Sequence, residues 1–316
     1  MIDFRYHVVS IVAVFLAGAI GLVLGTTTIN GVVLKDLNNR VNQLTNDKSA
    51  LRGQLSDTQS RLGRDDAFAA AAEQPLVADR LVGDRVVIIE APGASDALTG
   101  RLAQAVLDAG GTVASELKLN RNYVDPDQSA RLSSIVTSLA PASVTLPEGG
   151  ATPSQRAAYL LAALLMAHGT SGSVSSAALE QLLSGLESAR MLKVRGTGVR
   201  PGDLALVVSG PGSPPGATPA PSASAGTQAL SDLVAELDAD GDGAVVAGPA
   251  EATRSGALLA AVRGNDVADT VSTVDSADTS RGRVATVFAL AAQRRGDAGA
   301  YGQAAAGDSA LPGLEP

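Results

Sequence analysis

The chain has 316 residues but no cysteine and only two histidines, His7 and His168. The lack of cysteine excludes disulfides, thiolate metal sites and a cysteine nucleophile. The scarcity of histidine restricts histidine-dependent catalysis and metal binding. Aromatic residues make up 3% of the chain, so the core must be built from small aliphatic side chains, which pack well in regular layers.

Basic residues are fewer than acidic ones, which gives a formal net charge of -8 and a pI of about 4.8. A protein that binds nucleic acid without sequence preference needs a basic surface that contacts the phosphates. The composition therefore predicts no nucleic-acid partner.

An uncharged apolar run, VVSIVAVFLAGAIGLVL, occupies residues 8–24. Roughly 20 apolar residues suffice for a membrane-spanning helix, so residues 1–30 are predicted to form an uncleaved anchor. The alternative is a cleavable signal peptide, because Arg5 precedes the run, but no persuasive A-x-A site follows. Lys35 and Arg40 lie beyond the run, so the flanking charges leave the orientation open.

Residues 31–66 carry a heptad pattern that predicts a coiled coil. The a positions are Leu34, Val41, Lys48, Leu55 and Leu62, and the d positions are Leu37, Leu44, Leu51 and Thr58. Two copies that enter from one membrane would pair in parallel, so we expect a parallel homodimer. Its predicted interface comprises Leu34, Leu37, Val41, Leu44, Lys48, Leu51, Leu55 and Leu62. The alternative is an amphipathic helix that lies on its own domain.

Two charged features accompany the heptads. Lys48 is a polar a residue, a type that fixes register and a low oligomer state at some cost in stability. Asp47 at g and Arg52 at the next e would face each other across a parallel dimer.

Residues 80–295 alternate between short apolar runs and helical patterns, which predicts an α/β domain, Rossmann-like, with a mainly parallel sheet. Strands are expected at 85–90, 112–119, 191–194, 204–209, 244–247 and 270–274. Helices are expected at 96–109, 130–139, 154–167, 177–189, 227–237, 256–262 and 282–294. Residues 210–226 are rich in proline, serine and alanine and are predicted to form a flexible loop. Residues 296–316 form a Gly/Ala-rich tail.

No motif for chemistry is complete. The loop EAPGASD after the first strand lacks the glycines of a dinucleotide or phosphate cradle. The acidic turn at 238–243 starts like a calcium loop, but Pro249 stands where a bidentate glutamate is required. A G-x-S-x-G nucleophile elbow is absent. We therefore expect no catalytic residues, no cofactor, no metal site and no enzymatic activity.

Three stretches carry a resemblance to a known family. They are residues 1–26, MIDFRYHVVSIVAVFLAGAIGLVLGT; residues 85–94, RVVIIEAPGA; and residues 272–302, STVDSADTSRGRVATVFALAAQRRGDAGAYG, with ALPG close behind. Together they resemble the MctB family of actinobacterial envelope proteins, which is named for copper transport.

The resemblance implies a single-pass anchor in the cytoplasmic membrane, an extracytoplasmic domain and a role in copper transport or homeostasis. SteB-like members instead resemble coiled-coil proteins that control cell-wall cleavage during division through a partner protein. Copper favours cysteine, methionine and histidine ligands, and this chain offers only Met1, Met166 and Met191 besides its two histidines. The composition therefore favours an indirect effect on copper.

Overall fold

The computed structural model describes residues 4–167, 176–196, 198–218, 220–303 and 312; the side chains of residues 4, 5, 26–34, 36 and 66 are not described. The chain divides into two compact units, Met1–Asp65 and Asp66–Pro316. His168, one of the two histidines of the chain, lies outside the described residues.

Helix α1 spans Phe4–Val77. In the first unit its segment Tyr6–Gly25 is long and apolar enough to cross a membrane, and none of its surface is buried within the protein. Twenty residues at a rise of 1.5 Å span about 30 Å, which matches the hydrocarbon thickness of a bilayer.

The second unit contains a seven-stranded sheet. Its strands are β1 (Arg85–Glu90), β2 (Thr112–Leu119), β3 (Leu192–Arg195), β4 (Leu204–Val208), β5 (Ala244–Ala247), β6 (Ser272–Val274) and β7 (Ala300–Tyr301). The order is β3-β2-β1-β4-β5-β6-β7, and all neighbours are parallel except β2 and β3. The prediction of an α/β fold with a mainly parallel sheet is confirmed.

Helices cover both faces of this sheet. They are α2 (Asp96–Asp108), α3 (Arg121–Val124), α4 (Ser129–Leu139), α5 (Pro153–Leu165), α6 (Ser176–Ser188), α7 (Pro221–Ala239), α8 (Leu258–Arg263) and α9 (Ser280–Gln293). Because side chains alternate along a strand, Val86 and Ile88 of β1 join a buried cluster with α2 and α9. Val87 and Ile89 join the opposite cluster, with α3 to α8.

The end of α1 belongs to the layer formed by α2 and α9. Val77 and Leu81 are fully buried and are members of the same cluster as Val86. Ala69, Ala72 and Glu73 are half-buried on the preceding turns. Apolar burial therefore incorporates the last turns of this helix into the domain core.

Three local features differ from expectation. The predicted loop 210–226 is shorter, because α7 begins at Pro221, where proline is pre-organised for a first helical turn and alanines favour continuation. Helix α3 is too short to produce a periodic pattern. In the predicted tail, Ala300–Tyr301 pairs in parallel with β6 and extends the sheet.

Candidate functional site

The candidate site is a cleft at the carboxyl ends of β1 and β4. Within the sheet, β1 has β2 as its neighbour on one edge and β4 as its neighbour on the other edge. Connections that diverge from neighbouring parallel strands leave a crevice at this edge, where ligands of open α/β sheets commonly bind. We call it the switch-point cleft.

The switch-point cleft has a volume of about 450 Å³, within the range of small-molecule sites. Its walls come from the loops after β1 and β4, the α3 region, the first turns of α7 and the start of α8. The lining residues are Ala91, Pro92, Arg121, Val124, Asp125, Pro126, Ser209, Gly210, Pro211, Ser222, Ala223, Gly226, Thr227, Leu230, Gly256, Ala257 and Leu258.

Two glycines permit the close backbone approaches that shape this cleft. A Cβ at Gly210 would lie 2.7 Å from the carbonyl carbon of Gly93, so the loops after β1 and β4 can cross only without a side chain there. A Cβ at Gly226 would lie 3.2 Å from the Cβ of Val124, which brings α7 against α3. The glycines therefore fix the walls of the cleft.

The lining residues of the switch-point cleft are of types that suit ligand binding. The Ser209 hydroxyl donates to the Gly210 carbonyl over 3.0 Å and accepts from the Leu259 amide over 3.4 Å. Among the described residues, Arg121 and Asp125 are the charged ones that line the cleft. One Asp125 oxygen accepts from the Asp127 amide over 3.0 Å. In the part of the chain that the structure describes, no imidazole or second carboxylate lines the cleft beside Ser209 to act as its base.

A second polar cluster lies at the ends of β1, β2 and β3. This edge ion network comprises Glu90, Asp96, Glu116, Lys118 and Arg195. Lys118 Nζ lies 2.7 Å from the fully buried Glu90 carboxylate and also pairs with Asp96. Arg195 reaches Asp96 at 2.6 Å and both Glu90 and Glu116 at 3.3 Å.

In the edge ion network two cations are shared among three carboxylates. Thr99 Oγ1 also donates to Glu90 over 3.0 Å. Hydrogen bonds from Lys118 and Arg195 hold the pKa of Asp96 well below its usual range, and the bond to Asp96 raises the pKa of Lys118. The network thus holds the antiparallel edge strand and the start of α2 against β1.

The acidic turn at 238–243 is explained by local structure. Asp238 Oδ1 accepts from the Ala244 amide over 3.0 Å, which connects the end of α7 to the start of β5. Burial raises the pKa of Asp238 and is the largest cause of that shift. Within the described ranges, no group of three His, Cys, Asp or Glu residues could hold a metal ion.

The sulfur atoms of the two described methionines are buried. Met166 and Met191 are both buried in the cluster on the α3 to α8 face of the sheet. Met1 lies outside the described residues. The two described thioethers therefore serve packing.

Most predicted interface residues lie on α1 with exposed side chains: Leu37, Val41, Leu44, Lys48, Leu51, Leu55 and Leu62. The side chain of Leu34 is outside the description. No partner chain accompanies the structure, so the coiled coil and the homodimer remain predictions.

Sequence reasoning missed the switch-point cleft and the edge ion network. The signal for the network was the charged residue that ends the apolar strand RVVIIE, because a glutamate that follows buried strand residues needs a cation. No local signal marked the cleft, because its walls come from five separated segments.

Comparison with known proteins gives matches along almost the whole chain. The family model described as "Copper transport outer membrane protein, MctB" matches residues 1–312. "Copper transporter MctB" of Mycobacterium tuberculosis (strain ATCC 25618 / H37Rv) is 30% identical over 304 residues, which cover 92% of each protein. "Copper transporter MctB" of Mycobacterium leprae (strain TN) is 28% identical over 298 residues, again 92% of each. By this match over residues 1–312, the chain belongs to the MctB family.

Proposed function

We propose that this chain is a non-enzymatic, single-pass membrane protein that contributes to copper handling at the cell envelope. The observation that carries the proposal is the family match, which includes the apolar N-terminal segment as well as the domain. Relatives that match over 92% of their length are named copper transporters.

The anchor in this proposal is the segment Tyr6–Gly25 of α1. Its length suits one crossing of a cytoplasmic membrane, and its apolar side chains are exposed. We place the α/β domain on the extracytoplasmic side, as the family role at the envelope suggests. No cofactor is part of the proposal.

The domain acts by binding in this proposal. The switch-point cleft offers hydroxyls, one guanidinium, one carboxylate and apolar walls, which suit recognition of a ligand. The hydroxyl of Ser209 is hydrogen-bonded to backbone groups, and the described lining residues offer it no general base. Copper handling is indirect, because Met166 and Met191 lie in the core and cysteine is absent from the chain.

The cleft can be tested with two alanines of α7. Ala223 lines the cleft, whereas Ala225, two residues further along the same helix, is exposed and does not line it. In cells that lack the native gene, we expect Ala223→Phe to fail to restore copper tolerance and Ala225→Phe to restore it. Thermal unfolding of both variants must match the parent protein. Equal restoration by both would contradict a role for the cleft.

An indirect role in copper handling can be tested by measuring the affinity of the protein for Cu(I). The full-length protein in detergent is titrated with Cu(I) under reducing conditions, beside a chelator of known affinity. We expect no stoichiometric binding tighter than about 1 µM. One Cu(I) bound per chain below that concentration would contradict an indirect role and assign direct metal chemistry to the protein.

A second candidate function is a scaffold that controls cell-wall hydrolysis and division through a partner protein. The observation in its favour is the row of exposed leucines on α1 in the segment 37–62, since a long apolar stripe suits a helical partner. Cross-linking in intact membranes, followed by purification of the full chain, tests this role. Recovery of a division or cell-wall protein supports it, and recovery of only the chain itself counts against it.

A further inference from the structure

The helix α1 carries an apolar seam in the first unit. Six large aliphatic side chains occupy a and d positions there: Leu37, Val41, Leu44, Leu51, Leu55 and Leu62. They are 50–67% exposed. Covering such side chains is worth about 1.5–3 kcal/mol each relative to exposure in water, so this seam favours association with a matching helix.

Charges beside the seam favour a second copy of the same chain. In a parallel, in-register pair, Asp47 at g lies opposite Arg52 at e of the other copy. The same Asp47 flanks the a layer, where it can compensate the ammonium of Lys48 from the other copy. An exposed carboxylate and two cations at these spacings therefore complement each other when the sequence pairs with itself.

The same heptad phase continues into the second unit. Counting by sevens from Leu62 places Ala69 at an a position, and Ala72 follows at d. Both are half-buried within their own unit. Just beyond them, Glu73 forms a bidentate ion pair with Arg283 of α9, with both N–O distances 2.6 Å. Ala69 and Ala72 are therefore partly covered by the chain's own domain, whereas Leu76, the following a residue, is 49% exposed.

We infer that the a and d rows of α1 contact two different surfaces in succession: a second copy of the chain through Leu37 to Leu62, and then the chain's own domain through Ala69 and Ala72. Asp65, the charged d residue between them, marks the change. This inference does not depend on the copper role, because it concerns only how α1 is paired.

The absence of cysteine from the sequence makes disulfide scanning a direct test. Single substitutions Leu51→Cys, Leu62→Cys, Ser60→Cys and Ala72→Cys are made in the full-length protein and oxidised in its membrane with iodine, which adds no copper. Leu51 and Leu62 lie on the seam, Ser60 is an f position on the opposite face, and Ala72 is a d position on the domain.

We expect Leu51→Cys and Leu62→Cys to give disulfide-linked dimers in at least about tenfold higher yield than Ser60→Cys or Ala72→Cys, because only close, facing Cβ atoms can be bridged. The circular dichroism spectrum of each reduced variant at the labelling temperature must match the parent. Equal yields at Ser60 and Leu62, or no dimer at either seam position, would overturn the pairing. A high yield of disulfide-linked dimer for Ala72→Cys would contradict the inference that Ala72 contacts the chain's own domain.

Discussion

Arg283 holds Glu73 through two parallel hydrogen bonds, from Nε to Oε1 and from Nη2 to Oε2, each 2.6 Å long. The two side chains are only 14% and 16% exposed. Arg283 also donates to the Asp278 carbonyl over 3.1 Å. The planar guanidinium therefore fixes the last turns of α1, within the second unit, to the start of α9.

Replacing Arg283 with alanine should lower the free energy of unfolding by about 2–4 kcal/mol, because the Glu73 carboxylate keeps its partial burial and loses its cation. Arg283→Lys should recover only part of this loss, since an ammonium cannot form the planar fork. Denaturant unfolding of the full chain in detergent, followed by circular dichroism, measures both.

A matched control lies at the other end of α9. Arg295 pairs with Asp297 at 3.2 Å, but both side chains are about 60% exposed. Arg295→Ala should change the free energy of unfolding by no more than about 0.5 kcal/mol. If Arg283→Ala is as mild as this control, the ion pair at Glu73 does not hold the helix.

A second prediction concerns the turn before α9. A Cβ at Gly282 would collide with the carbonyl oxygen of Ser276, which has a positive φ of 56°. Gly282→Ala should destabilise the domain by about 3 kcal/mol, since the backbone itself must move. Gly100→Ala in α2 meets nothing within 4 Å and should stabilise by about 0.5–1 kcal/mol. Thermal melts of the pair check the opposite signs.

A third prediction follows from the depressed pKa of Asp96. A folded-state pKa below the unfolded value, about 3.9, favours the ionised carboxylate in the fold. Its contribution is therefore present above about pH 4 and is lost as pH falls through the folded-state pKa. Asp96→Asn should be less stable than the parent at pH 7, and this difference should shrink in acid.

Urea unfolding at a series of pH values measures this trend. Asp108→Asn on the same helix is the control, because its Oδ1 accepts a hydrogen bond from the Gln104 side chain over 2.8 Å, which asparagine can also accept. An Asp96→Asn difference that stays constant down to pH 3 would refute the role of the two cations.

A fourth prediction concerns Lys48 at the seam of α1. Lys48→Leu should raise the melting temperature of the dimer and broaden its oligomeric states, because a buried polar a residue lowers stability while fixing the oligomer number. Sedimentation of the full-length protein in detergent, with thermal melts, measures both effects. An unchanged melting curve would argue against Lys48 lying between two copies.

The alternation of strands and helices could be predicted because each buried strand is a short apolar run with clear ends. β1 and β2 begin and end at the expected residues, 85–90 and 112–119. The antiparallel direction of β3 could not be predicted, because its residues, LKVR, are partly exposed and carry no directional signal. Nor could β7, since two residues are too few to form a pattern.

The cleft and the ion pair between Glu73 and Arg283 could not be predicted from the sequence, for a different reason. Glu73 and Arg283 are 210 positions apart. From the sequence alone, each would be interpreted as an exposed charged residue. The walls of the cleft depend on which strands are neighbours, which only the strand order determines. Local patterns predict elements, whereas these sites depend on tertiary pairing.

The burial of Met166 and Met191 has a consequence for chemical durability. Redox-active copper generates peroxide-derived oxidants, and sulfur side chains are their first targets in proteins. This chain has no thiol to lose, and both described thioethers are sealed beneath helices and sheet. In its described part the folded domain therefore exposes almost no oxidisable sulfur, so that oxidants should damage its side chains slowly.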